Sequence, residues 1–159
     1  MRPPPTHRLD PRARTAWRIS GALLTAVVLT VVVAVGFVLL RFTAFPPWLT
    51  WTAGGLAVAA AAASIWPVPD IEWRHWRYEI GEREVDLQHG WVVVTRTLVP
   101  MAQIQHVDTR RGPLERRFGL ATVVLYTAAG ASEIPALADA EAAEVRDRIS
   151  ALANLNQQL

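Results

Sequence analysis

Between residues 19 and 66 the chain carries a single charged side chain, Arg41, and every other Asp, Glu and Arg lies outside that window. A domain bathed in water needs charge over its whole surface, so segregation this sharp points to lipid. Ile19–Leu40 is an uncharged run of 22 residues, about 33 Å long as a helix and enough for the hydrocarbon core. Trp48–Trp66 is a second uncharged run of 19 residues, rich in Ala and Gly, and about 28 Å long. Gly55, Ala59 and Ala63 recur every four residues along it and predict a face on which another backbone packs closely.

The seven residues Arg41–Pro47 between the runs suffice for a turn and little else. The expectation is an antiparallel transmembrane hairpin over residues 19–66. Five Arg precede the first run, Arg41 alone sits between the two, and Arg74, Arg77 and Arg83 follow the second. By the positive-inside rule both termini face the cytoplasm of a two-pass plasma-membrane protein. Trp17, Trp48, Trp51, Trp66, Trp73 and Trp76 fall at or near the ends of the runs, where an indole finds both an apolar bed and water. The first run is too long for a typical leader and lacks a small-residue cleavage site after it, so it reads as a retained helix. Residues 1–18, rich in Pro and Arg, are expected to be a disordered cytoplasmic tail near anionic headgroups.

Composition removes several kinds of chemistry. There is no Cys, which excludes a disulfide framework, a thiolate metal site and a Cys nucleophile. All 16 basic residues are Arg, so neither a P-loop nor a Schiff-base enzyme can be built. His7, His75, His89 and His106 lack paired metal-ligand spacing, and no Ser lies in a GxSxG pattern. Glu79, Glu82, Glu84 and Asp86 resemble an acid cluster, but the alternation of Glu84 and Asp86 with Val85 and Leu87 is that of a half-exposed strand. The reading is a protein without enzymatic activity, metal or cofactor. Residues 75–159 carry nine Arg against eleven Asp and Glu, so no nucleic acid is expected as a partner.

Pro67 and Pro69 are expected to end the second helix, and residues 67–75 to form a linker. From Trp76 the pattern becomes short apolar runs divided by turn signals, as in an antiparallel β domain over residues 76–159. Strands are expected near Trp76–Ile80, Glu84–Gln88, Trp91–Pro100, Ile104–Thr109, Leu120–Thr127 and Ser132–Ile134. A helix closes the chain from about Asp139 to Leu155, with Ala142, Val145, Ile149 and Leu152 forming one apolar stripe.

Strands followed by one amphipathic helix are the plan of a pleckstrin-homology (PH) fold. Trp76-Arg-Tyr-Glu-Ile80, Arg96 to Pro100, Ile134-Pro135 and above all the stretch from Gln103 to Leu120 resemble bacterial PH domains of the YdbS-like, membrane-flanked type. The resemblance covers residues 66–155, and the helix hairpin fits it. It implies a bacterial plasma-membrane protein with a cytoplasmic PH-like barrel or sandwich closed by a C-terminal helix. It supplies neither an activity nor a ligand.

One cluster stands out: Arg110, Arg111, Arg116 and Arg117, opposed only by Glu115. The planar guanidinium fork suits phosphate or carboxylate, so the cluster is a candidate for binding headgroups or a partner. The structural alternative stays open, in which Arg116 or Arg117 caps strand ends or pairs with Glu115. Function therefore divides between an interaction module, docking a protein or another copy of itself, and a sensor of anionic lipid. A membrane enzyme or a subunit of a transport complex is a more distant alternative.

Overall fold

A computed structural model of the chain describes residues 4–42, 46–65 and 67–157. The chain divides into two compact units, one comprising Trp17–Asp70 and the other the residues before Trp17 together with those from Ile71 onward.

The first unit holds most of helix α1 (Arg12–Phe42) and all of α2 (Pro47–Ile65). Along α1 Leu24, Val27, Val31, Val33 and Phe37 stay exposed, as do Leu56 and Val58 on α2, which is how helices look when lipid is their solvent. Leu24, Thr25, Val28 and Leu29 of α1 share a groove with Ala57, Ala60 and Ala61 of α2. The small-residue face differs from the one expected. Gly54, Ala57 and Ala61 are half-buried, while Gly55, Ala59 and Ala63 are exposed. Of the turn expected over Arg41–Pro47, Arg41 and Phe42 end α1 and Pro47 begins α2, while residues 43–45 lie outside the described residues.

Residues 67–75 are a helix rather than a plain linker, α3 (Pro67–His75). Proline at a first turn costs no hydrogen bond, because the first amides of a helix lack carbonyl partners anyway. Within the first unit Arg18 donates to the Asp70 carboxylate at 2.6 Å, fixing the start of α3.

The second unit contains two antiparallel sheets. β1 (His7–Arg8), β2 (Arg77–Ile80), β3 (Glu84–His89) and β4 (Thr95–Pro100) pair in that order; β5 (Ile104–Arg110), β6 (Leu120–Thr127) and β7 (Gly130–Ala138) form the other sheet. No ladder joins the two sheets among the described residues, so of the expected barrel or sandwich a closed barrel is not formed. A 3-10 turn at Met101–Gln103 carries the chain from one sheet to the other. The core holds Tyr78, Val85, Leu87, Met101, Ile104 and Val123. Helix α5 (Asp139–Gln157) packs on β5, β6 and β7. It buries Ala142, Val145, Ile149 and Ala153, each large aliphatic adding roughly 1.5–3 kcal/mol. Leu152, expected on that stripe, is half-buried beside Ala153.

Two elements depart from the sequence reading. Residues 4–16, expected to be disordered, lie on the β unit: His7 and Arg8 pair with Tyr78 and Arg77, and Leu9, Ala13 and Ala16 are buried. The lone apolar Leu9 is enough to seat a short strand when its neighbours find backbone partners. Residues 1–3 lie outside the described residues. The expected strand over Trp91–Pro100 begins only at Thr95, and Trp91, Val92, Val93 and Val94 are exposed in the β3–β4 loop. Six residues of β4 saturate the six of β3, so the apolar run is left over. β7, in contrast, extends to Ala138. The β6–β7 register slips between Ala121 and Val123, where Pro135 has no amide to donate and Ala136 takes a left-handed φ of 51°, a bulge that lets the pairing resume.

Candidate functional site

The expected Arg cluster sits between β5 and β6, on a segment that folds into a short helix, α4 (Pro113–Phe118). Its start is set by Glu115, whose Oε2 accepts the Gly112 amide at 2.7 Å. Its end is set by Gly119, in the left-handed region at φ 63°, where a side chain would be strained. Arg12 of the N-terminal segment donates to the Phe118 carbonyl at 3.1 Å and so caps the helix from outside.

α4 divides the four arginines. Arg110 and Arg111 line a pocket of about 440 Å³ with Gly112, Glu115, Thr122 and Glu133. Arg110 is ion-paired with Glu133, and Arg111 Nε lies 3.2 Å from Asp139 Oδ1. Arg116 and Arg117 point outward on α4, exposed, and neither makes an ion pair among the described residues. Glu115 is not their partner. Its Oε1 accepts the Thr122 hydroxyl at 2.6 Å, and that hydroxyl in turn receives the amide of Ala136 in the β7 bulge at 3.4 Å. Thr122 is the one buried polar side chain among the described residues, and this chain of bonds satisfies it. The pocket thus holds two guanidinium groups and two carboxylates. It is an internally neutralised site, a poor match for a polyanion.

Other titratable residues are dispersed. His75 contacts the Ile71 carbonyl at 2.7 Å, His89 stacks on Trp76 and His106 on Tyr126. Among the described residues no three His, Asp or Glu side chains converge as a metal site requires. Asp86 of the acid-rich strand is held by Arg96 at 2.5 Å. The Tyr78 phenol donates to Glu141 at 2.6 Å. Burial first, and the Glu141 carboxylate second, push its pKa above the ordinary tyrosine value.

A second concavity was not anticipated from the sequence. It is a groove of about 320 Å³ where the two sheets part, lined by Trp76, Leu87, His89 and Thr97 on one side and by Ala131, Ser132 and Glu133 on the other. It brings the buried side chains Trp76 and Leu87 together with the polar side chains His89, Thr97, Ser132 and Glu133. Strand patterning carries no signal for it, because it depends on how the two sheets meet.

With this architecture in view, comparison with known proteins is decisive. The sequence matches the bacterial PH domain family over residues 18–153. The chain belongs to that family. This bacterial PH domain protein is 39% identical over 155 residues to the UPF0699 transmembrane protein YdbS of Bacillus subtilis (strain 168), covering 98% of this chain and 97% of that one. It is also 30% identical over 95 residues to the transmembrane protein YdbT of the same organism, covering 58% of this chain and 19% of YdbT. Both relatives are named as membrane proteins, not as enzymes. No solved structure matches. The family and the YdbS likeness expected from the sequence therefore hold, and the bacterial PH domain chain is a membrane protein with an N-terminal apolar helix, antiparallel sheets and a C-terminal helix.

Proposed function

We propose that this protein is a membrane-anchored PH-like interaction module at the cytoplasmic face of a bacterial plasma membrane. Residues 19–40 and 48–66 are its two spans, both termini are cytoplasmic, and residues 76–159 dock a protein partner or a second copy of the chain. The observation that carries this reading is the open seam between the sheets. Among the described residues β4 pairs only with β3, and β7 only with β6, and the groove beside them brings Trp76 and Leu87 together with the polar side chains His89, Thr97, Ser132 and Glu133. An unpaired strand edge next to a side-chain groove is what extended peptides bind. Anchoring raises the local concentration of any partner held in the same membrane, so a weak contact suffices.

The pairing of Arg110 and Arg111 with Glu133 and Asp139 counts against the alternative, a headgroup sensor built on all four arginines. Arg116 and Arg117 keep that alternative testable. A photoreactive residue placed at Thr97 or Ser132 of the full chain in living cells is expected to yield a discrete adduct with a protein, whose mass tells a partner from a second copy. Adducts with lipid alone, abolished when Arg110, Arg111, Arg116 and Arg117 become Gln, would replace docking by headgroup binding.

A further inference from the structure

The β3–β4 loop is the least soluble surface of the β unit. Trp91, Val92, Val93 and Val94 are 53%, 74%, 75% and 57% exposed, side by side, with no charge between His89 and Arg96. Gly90 sets the loop's shape at φ +93°, where a β-carbon would collide with the Val93 carbonyl oxygen. The tip is thus held out from the sheet by its own backbone, and it contributes nothing to the core.

Behind the tip the strands present ordered charge. Arg8, Arg77, Gln88 and Arg96 are consecutive cross-strand partners in β1 to β4, so they form one row on one face of the sheet. Arg96 is held by Asp86, whereas Arg8 and Arg77 make no ion pair among the described residues. The next row on that face, about 7 Å farther from the loop, carries the acids Glu79 and Asp86 with Leu98 at its end. The order from the tip is therefore apolar, basic, acidic.

That order matches a single surface, the cytoplasmic leaflet of a bilayer with anionic lipids: acyl chains, then phosphates, then a solution from which acid is not excluded. The length of the chain lets the loop reach that surface. His89 at its base stacks on Trp76 with ring centroids 5.7 Å apart, and Trp76 follows Ile65, the end of the second apolar helix, by eleven residues, a tether no longer than about 40 Å. We infer that Trp91–Val94 inserts into the membrane interface of the same bilayer that holds the helices. Arg8 and Arg77 meet its anionic headgroups, and the loop is a third membrane contact that orients the PH domain. Residues 91–94 do not line the groove between the sheets, which shares only His89 and Trp76 with the base of the loop, so insertion is tested apart from docking there.

The absence of cysteine from the chain makes the test direct. A spin label on Val93→Cys, and separately on Val92→Cys, is placed in the full chain reconstituted into phosphatidylethanolamine–phosphatidylglycerol vesicles, with exposed Asp147→Cys as reference. Collisions with oxygen, which concentrates in lipid, and with a water-soluble nickel chelate are then measured. The expected result at 92 and 93 is high oxygen and low nickel access, with the reverse at 147. R8Q/R77Q, or replacing phosphatidylglycerol by phosphatidylcholine, is expected to raise nickel access several-fold. Nickel access at 92 and 93 equal to that at 147 overturns the inference. Low access to both reagents also overturns it, because it places a protein surface over the loop. Nickel access unchanged in R8Q/R77Q overturns the headgroup role of the basic row.

Discussion

At the scale of single residues the tryptophans exchange the roles expected of them. Trp73 and Trp76 read as membrane-interface anchors because they follow an apolar run. Instead Trp73 donates its Nε1–H to the carbonyls of Leu9 and Asp10, both at 3.1 Å, beneath the Arg14 guanidinium, and Trp76 is buried against His89. Trp91 read as the start of a strand and is exposed in the β3–β4 loop. Indole serves in either setting, so its position along the chain does not decide between them. Gly90 is less ambiguous: Gly90→Ala is expected to cost about 1–3 kcal/mol through its backbone conformation, measured as a lower melting temperature. Tyr78 supplies a pH test. Its phenol is held neutral in the fold by burial and then by Glu141, whereas the unfolded chain ionises near pH 10. The stabilisation is complete below about pH 10 and is lost as pH rises towards the higher folded value. Tyr78→Phe is expected to lower stability by about 1.5 kcal/mol at neutral pH and to flatten the decline above pH 10 in denaturant titrations. An equally steep alkaline limb in the variant would remove Tyr78 from that role.

At the scale of elements, β5, β6 and α5 were legible because their patterns are long and regular. Leu120–Thr127 is a strand as read, and α5 starts at Asp139 as expected. The N-terminal strand was not legible: two residues joined to β2 across some seventy positions of sequence leave no periodicity to read. Its stability rests on Leu9, which is 2% exposed, and on Asp10, whose side chain accepts the Arg12 amide at 2.7 Å. Leu9→Ala is expected to cost about 2–3 kcal/mol and to raise hydrogen exchange in β2 more than in β6. The hydrogen bond from the Arg12 guanidinium, its largest cause, lowers the Asp10 pKa. The segment therefore keeps this contribution above about pH 4 and loses it as pH falls through the lower folded value. Solvent screening holds the effect below about 1 kcal/mol. Protection of the Tyr78 amide, taken relative to its intrinsic exchange rate at each pH, is expected to fall in acid, and to do so less in Asp10→Asn. The four arginines were legible as a cluster but not as a divided one, because the acids that pair Arg110 and Arg111 come from distant Glu133 and Asp139.

At the scale of the whole molecule, charge segregation announces the membrane and the strand-to-helix order announces the PH plan, since both are properties of long stretches. The seam between the sheets is a property of how two sheets meet, which no local pattern records. A reporter fused after Leu159 is expected to report a cytoplasmic location, in line with the Arg-rich flanks of the apolar helices; an external signal would reverse the orientation. The central claim, a docking groove on the cytoplasmic side, is tested most directly by the accessibility of Ser132→Cys to a membrane-impermeant maleimide. The account predicts no labelling in intact cells, weak labelling in inverted membrane vesicles where the groove is occupied, and full labelling of the purified chain once it is diluted to a monomer, which frees the groove from a partner and from a second copy alike. Labelling of intact cells, or equal labelling in native inverted vesicles and of the diluted monomer, would contradict it.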